Sequence, residues 1–246
     1  MTYYERIGVG YAERRRPDPR IESRIYEALG DARSVVNIGA GAGSYEPTDR
    51  RVVAVEPTVQ MLEQRSADAA PAVRAVAEHL PFPDASFDAA LAVLTIHHWT
   101  DLERGLSELR RVARRQVILG FDVNRQGDMW LVRDYVPAWA ELESEGEATL
   151  GRTLALLDNP RVEAVPVPAD CTDGFGGAYW KRPEAYLDPS VRRSISSLAR
   201  LPAYDVEPGL ARLADDLATG QWHARNADIL DLNELDLGYV LIVAGQ

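Results

Sequence analysis

The segment Asn37-Ile38-Gly39-Ala40-Gly41-Ala42-Gly43 is a glycine-rich turn that follows a short apolar run, and Glu56 closes the next such run. Glycines between a strand and a helix let backbone N–H groups approach a ligand at the helix N-terminus. Many α/β proteins use such a turn only to pack strand against helix, so the glycines alone leave both readings open. The spacing Gly39-x-Gly41-x-Gly43 lacks the extra residue before the last glycine of the dinucleotide fingerprint, which counts against a nicotinamide or flavin cofactor. A carboxylate at Glu56 suits both hydroxyls of a neutral ribose; a surface acid at a strand end is the competing reading.

The elements around these residues supply the context. Ile21, Ile25 and Leu29 form one helical stripe that Gly30 stops. Segments 33–38, 51–55, 73–77, 87–95 and 117–121 are short and apolar, as buried parallel strands should be. Helices are expected over 58–70 and 101–115, the second with Asp101 near its start and Arg114 and Arg115 at its end, matching the helix dipole. Strands alternating with helices imply a parallel sheet with right-handed crossovers. Beyond Phe121 the pattern predicts helices over 129–143, 190–200 and 208–220, a strand over 161–167 and a last strand over 239–244.

Composition narrows the function. The chain has 246 residues and a net charge of -11, which disfavours a nucleic-acid groove or an acidic membrane surface as the main partner. Arg14, Arg15 and Arg16 form the tight basic run, read as a solvated helix face. The single cysteine, Cys171, cannot form an internal disulfide and reads as a small core or loop residue; no zinc framework is visible. The opening MTYYERIGVG lacks the pattern of a signal peptide and no run reaches membrane-span length, so a cytoplasmic protein is expected.

The runs VVNIGAGAGSYEP, VVAVEPTVQML, VAEHLPFPDASFDAALAVLTIHHWTD and ELRRVARRQVILGF, in this order, resemble the SAM-dependent (S-adenosylmethionine-dependent) methyltransferases of the large UbiE-like, "type 11" small-molecule group. The resemblance covers roughly residues 30 to 125. It implies a doubly wound, mostly parallel seven-stranded α/β sheet of the Rossmann-like class I methyltransferase fold, with a helical lid inserted before the last strand. It implies that Gly39, Ala40 and Gly41 line the methionine and ribose side of SAM, with Glu56 on the ribose hydroxyls and Pro57 against the adenine face. Ala77 and Glu78 match the stretch edging the adenine ring, Val93 and Leu94 the strand end passing the methionine portion, and His97 and His98 the frequent His-His pair beyond it. Asn37 stands where the group usually has an acid; its amide oxygen can still meet the SAM ammonium. Val76 stands where the group often has Asp. In similar enzymes the N-terminal segment folds over the cofactor, which makes Tyr11 a candidate contact.

The expected organisation is an N-terminal helical segment over 1–30, a SAM-binding core over 31–170 and 226–246, and a lid for substrate recognition over 171–225. Trp130, Tyr135, Trp139, Phe175, Tyr179, Trp180 and Trp222 fall where the active site should be roofed, with core packing the alternative for about half of them. Methyl transfer from a sulfonium is an in-line displacement served mainly by alignment and dryness. If the acceptor is a hydroxyl, His98 or His97, or His223 in the lid, is a candidate base. The resulting expectation is a methyltransferase acting on an O, N or C atom of a small metabolite, with S-adenosylhomocysteine as product, no nucleic-acid or membrane partner, and no metal. A SAM-binding cyclase or decarboxylase, or a catalytically silent SAM-binding protein, are the alternatives.

Overall fold

The structure is a computed structural model that describes residues 14–144 and 149–245. Helix α1 (Pro19–Leu29) starts at Asp18, whose carboxylate accepts the Arg20 N–H, and Pro19 presets the first turn. It buries the Ile21, Ile25 and Leu29 stripe. Strands β1 (Ser34–Ile38), β2 (Arg51–Val55), β3 (Ala72–Val73), β4 (Phe87–Val93) and β5 (Ala113–Phe121) run parallel. Strand β9 (Tyr239–Gly245) joins β5 antiparallel, and β6 (Arg161–Ala164) pairs antiparallel with β9. The seven-stranded order is β3-β2-β1-β4-β5-β9-β6, the doubly wound, mostly parallel sheet expected. Val35, Leu91 and Leu119 on one face, and Val36, Ala90 and Ile118 on the other, lie in separate buried clusters, so both faces are covered.

The connections decide where a ligand can lie. From β1 the chain steps outward to β2 through the glycine turn and from β2 to β3 through α2 (Val59–Leu62), then returns to β4 on the other side of β1. The order therefore switches direction between β1 and β4, and an open crevice forms beyond the carboxyl ends of these strands. Helix α3 (Leu102–Val112) carries the chain from β4 to β5, capped by Asp101 and buried through Leu102, Leu106, Leu109 and Val112. Between β5 and β6 lie α4 (Val123–Gly127), α5 (Trp130–Asp134), α6 (Ala138–Ser144) and α7 (Leu150–Ala155). Strand β7 (Val167–Pro168) pairs with β8 (Glu234–Leu235) in a separate ribbon. Between them come α8 (Pro189–Ser194), α9 (Ser196–Arg200), α10 (Ala203–Ala218) and α11 (Gln221–Arg225). Among the described residues no helix is long and apolar enough to cross a membrane.

Several expected elements are shorter or broken. The helix foreseen over 58–70 stops at Leu62, because Arg65 turns inward to Glu46 and the Ala70 N–H is tied to the same carboxylate. The segment over 73–77 pairs only at Ala72 and Val73. Helix 129–143 is split around Pro137, which has no N–H to continue the ladder. Strand 161–167 is divided around Pro166 between the main sheet and the ribbon. Helix 190–200 is two helices meeting at Ile195, and α7 has no counterpart in the sequence reading.

Candidate functional site

Each strand end contributes one piece of the crevice. At β1, Gly39 and Gly41 adopt positive φ of 66° and 53°. A Cβ on Gly39 would lie 1.9 Å from the Thr95 hydroxyl, so this glycine lets the turn lie against the end of β4. A Cβ on Gly41 would meet nothing within 4 Å, because Gly41 borders open space. Glu56, at the end of β2, is buried and faces the turn: one carboxylate oxygen accepts the Gly41 N–H at 2.9 Å. Its other oxygen accepts the Thr58 N–H at 3.0 Å and the Thr58 hydroxyl at 2.6 Å. Leu94, just past β4, has a φ of 48°, a conformation that costs a branched side chain energy and turns the chain sharply into the 3-10 turn Ile96–His98.

These pieces enclose a cavity of about 600 Å3. Its wall contains Asn37, Gly39, Ala40, Gly41, Glu56, Pro57, Ala77, Glu78, Val93, Leu94, His97 and His98, so all the described residues singled out for cofactor contact are brought together with two of the three histidines singled out as candidate bases. Tyr11 lies outside the described residues. The strand order places Glu56 on the β2 side, the glycine turn in the middle and the histidines on the β4 side. Glu78 contributes to the wall while one of its oxygens holds the Thr100 N–H at 2.7 Å and the Thr100 hydroxyl at 2.9 Å, fixing the loop before α3. Asn37 is 1% exposed; its amide donates to Glu46 Oε1 at 3.2 Å, and its buried Oδ1 has no partner among the described residues.

The histidine rings stack with centroids 3.8 Å apart, and His97 also meets Phe121. Both are half-buried at the cavity edge. Burial pushes the His97 pKa well below its usual value, with the neighbouring His98, Arg200 and Arg15 adding to the effect. Burial likewise lowers His98 to about 3, helped by the positive charges of Arg200 and Arg15. Both imidazoles are therefore neutral at physiological pH. His223 is exposed on α11, edge-to-face with Trp222, and is absent from the cavity wall.

Sequence reasoning missed Arg15, Thr95 and Arg200, all of which line the cavity. Arg15 does not belong to a solvated helix face. Its guanidinium pairs with the fully buried Asp173 at 2.6 Å, and Asp173 also accepts the Tyr45 hydroxyl at 3.0 Å. The Gly174 N–H donates to the Arg14 carbonyl and the Ser44 hydroxyl to the Arg15 carbonyl, so residues 14–18 are stitched to 172–174 across the crevice. No local sequence pattern announces a partnership across such a separation.

A recess of about 40 Å3 shares Arg15, Leu94, His97 and His98 with the main cavity and continues between Phe121, Trp139, Phe175, Tyr239 and the start of α9. Of the aromatics foreseen as a roof, Trp139 and Phe175 line it. Trp130, Tyr135 and Trp222 instead pack edge-to-face, and Trp130 donates to the Trp180 carbonyl while Trp180 donates to that of Val167. Cys171 is a buried packing residue whose thiol is pushed up to about 12 by burial.

The chain is similar to known proteins in sequence and in fold. Residues 36–121 match the family model described as a methyltransferase domain. A crystal structure from Anabaena variabilis, described as a "putative methyltransferase from antibiotic biosynthesis pathway", is 33% identical; the match covers 94% of this chain and 99% of that one, with a TM-score of 0.87. The uncharacterized methyltransferase YcgJ of Bacillus subtilis is 33% identical over 92 residues, which are 33% of this chain and 36% of YcgJ. The chain thus spans about a third of that curated relative, and 66% of another, the uncharacterized protein MJ1252 of Methanocaldococcus jannaschii. Geranyl diphosphate C-methyltransferase from Streptomyces coelicolor, crystallised with S-adenosyl-L-homocysteine, shares the fold at 14% identity and a TM-score of 0.53, covering 92% of this chain and 75% of its own.

Proposed function

We propose a specific task for this chain, which belongs to the SAM-dependent methyltransferase family: transfer of a methyl group to an O, N or C atom of a small metabolite. The observation that carries the reading is the set of polar groups in one cavity. Glu56 stands at the end of β2, and at the end of β1 stands the buried Asn37 carbonyl oxygen, which has no partner among the described residues.

The lining suits S-adenosylmethionine. Three of the roughly four acceptor positions of the Glu56 carboxylate are filled by Gly41 and Thr58. The Thr58 hydroxyl is the rotatable member of that set and is able to turn aside for a ribose hydroxyl. Ala77 and Pro57 offer apolar surface beside Glu56 for a flat base. At the end of β1 the Asn37 Oδ1 accepts from an ammonium, and Arg15 places a cation in the wall where a carboxylate would be welcome. The volume falls within the range of about 300–1,000 Å3 common to small-ligand sites.

The bound cofactor supplies a methyl group on a sulfonium, a strong leaving group, and the chain supplies alignment and dryness. His97 and His98, neutral and beside both the cavity and the recess, accept hydrogen bonds from an acceptor N–H or O–H and orient its lone pair. Burial disfavours their protonation, so they are weak holders of a removed proton, and orientation outweighs general-base catalysis. We assign acceptor recognition to the 171–225 segment, a lid in this reading, acting with Trp139 from outside it. Phe175, Gly176 and Ser194–Ser197 of that segment line the recess. The chain's net charge of -11 favours a small acceptor over nucleic acid, and a cytoplasmic location accords with the same reading.

The test is calorimetry with S-adenosylmethionine and S-adenosylhomocysteine on wild type and Glu56→Ala. Hydrogen bonds to a charged group contribute roughly 1.5–3 kcal/mol each, so the substitution should weaken both ligands by at least about tenfold. Equal affinity in the variant, or no binding to wild type, would show that the cofactor site is drawn wrongly.

A further inference from the structure

Asn37 is a cavity residue whose side chain is held from behind. Its Nδ2 donates to Glu46 Oε1 at 3.2 Å. Glu46 is paired with Arg65 at 2.8 Å, the two side chains being 7% and 6% exposed. Arg65 also donates to the Gly41 carbonyl at 3.2 Å and the Ala70 carbonyl at 2.9 Å, and the Ala70 N–H donates to Glu46 at 3.1 Å. The ion pair thus lies directly beneath the glycine turn, with no freedom for either partner to leave. Reversing the Asn37 amide would set its oxygen against the Glu46 carboxylate, two acceptors with no proton between them. Glu46 therefore dictates which end of the amide faces away from it. That end is Oδ1, buried and with no partner among the described residues, on a residue that lines the cavity.

We propose that Glu46, clamped by Arg65, is a positioning residue for cofactor binding: it holds the Asn37 amide with its carbonyl oxygen toward the ammonium of the bound cofactor. The inference rests on the cofactor reading above. It also accounts for the amide at 37. The acid that this methyltransferase needs near the turn is at position 46, one layer further from the ligand and already neutralised by Arg65. A second carboxylate at 37 would stand against the first, with neither able to donate, and like charges at that distance resist joint ionisation. Restoring the acid should therefore harm binding, the opposite of what an added ion pair to an ammonium would do.

The test is titration of S-adenosylhomocysteine at pH 8 into wild type, Asn37→Asp, and the double variant Asn37→Asp/Glu46→Gln, with Glu56→Ala as the control on the cofactor site. In the double variant the acid is moved from 46 to 37, and the amide at 46 donates to it while its oxygen accepts from Arg65. Asn37→Asp is expected to bind at least tenfold more weakly than wild type, and the double variant to return to within about threefold, a non-additivity that independent sites would not give. Should the single variant fold poorly, the double variant still decides, since it is expected to melt near wild type and to bind. Asn37→Asp binding as tightly as wild type or more so, or a double variant no better than the single, would overturn the role of Glu46. Loss of binding in Glu56→Ala together with an indifferent Asn37→Asp would sink this relay alone. No binding to wild type would sink the cofactor reading and this inference with it.

Discussion

Replacing His98 with glutamine should make the protein more resistant to mild acid. In the unfolded chain this imidazole titrates near 6.5, whereas in the fold burial and the charges of Arg200 and Arg15 lower it to about 3. Between those values the unfolded state binds a proton that the folded state refuses, so stability falls as pH drops below about 6.5 and is unaffected above it. At pH 5 the difference amounts to about 2 kcal/mol from His98 alone. Water in the cavity screens part of this shift and reduces the figure without changing its sign. For a chain of this size the unscreened figure corresponds to about 4–8 °C in Tm. The assay is thermal melting of wild type and His98→Gln at pH 8 and pH 5, read as the change in their difference, so that carboxylates titrating in both proteins cancel. The variant should gain on wild type by several degrees between the two pH values. A difference that stays constant would refute the claim that the fold holds this histidine neutral, and with it the preference for orientation over base catalysis.

The two glycines of the turn should separate stability from binding. Gly39→Ala sets a methyl group against Thr95 at positive φ and should cost about 2–5 kcal/mol in urea denaturation, whereas Gly41→Ala, with open space beside it, should cost only about 1–2 kcal/mol yet impair S-adenosylhomocysteine binding in calorimetry. Equal destabilisation by the two would contradict the geometry. Asp173→Asn removes the fully buried carboxylate that pairs with the half-buried Arg15 guanidinium and should lower stability by about 1–3 kcal/mol; an unchanged urea midpoint would show that residues 14–18 are not anchored through this pair.

The sheet was legible because its strands are short β-branched runs bounded by turn residues, and β2 matches the expected Arg51–Val55 span. The crevice was legible for a related reason: the glycine turn, Glu56 and the His97–His98 step all sit at strand ends, and strand ends in a doubly wound sheet converge. What was not legible depends on contacts remote in sequence. Helix α2 stops early because Arg65 is drawn to Glu46, an attraction that helical periodicity does not register. Arg15 looked like part of a solvated run because its partner, Asp173, lies far along the chain. Trp130, Trp180 and Trp222 looked like roof residues because composition reveals aromatics but not the faces they turn to one another. Asn37 looked like a loss of the expected acid, and only the position of Glu46 behind it shows where that charge went.

The central claim is that one cavity at the ends of β1, β2 and β4 holds the methyl donor. A crystal structure with S-adenosylhomocysteine tests it most directly. The ribose hydroxyls should lie on Glu56, the base beside Pro57 and Ala77, and the amino group on Asn37 Oδ1, with the sulfur facing the His97–His98 side. A ligand bound elsewhere, or in this cavity with its amino group away from Asn37 and its ribose away from Glu56, would contradict it.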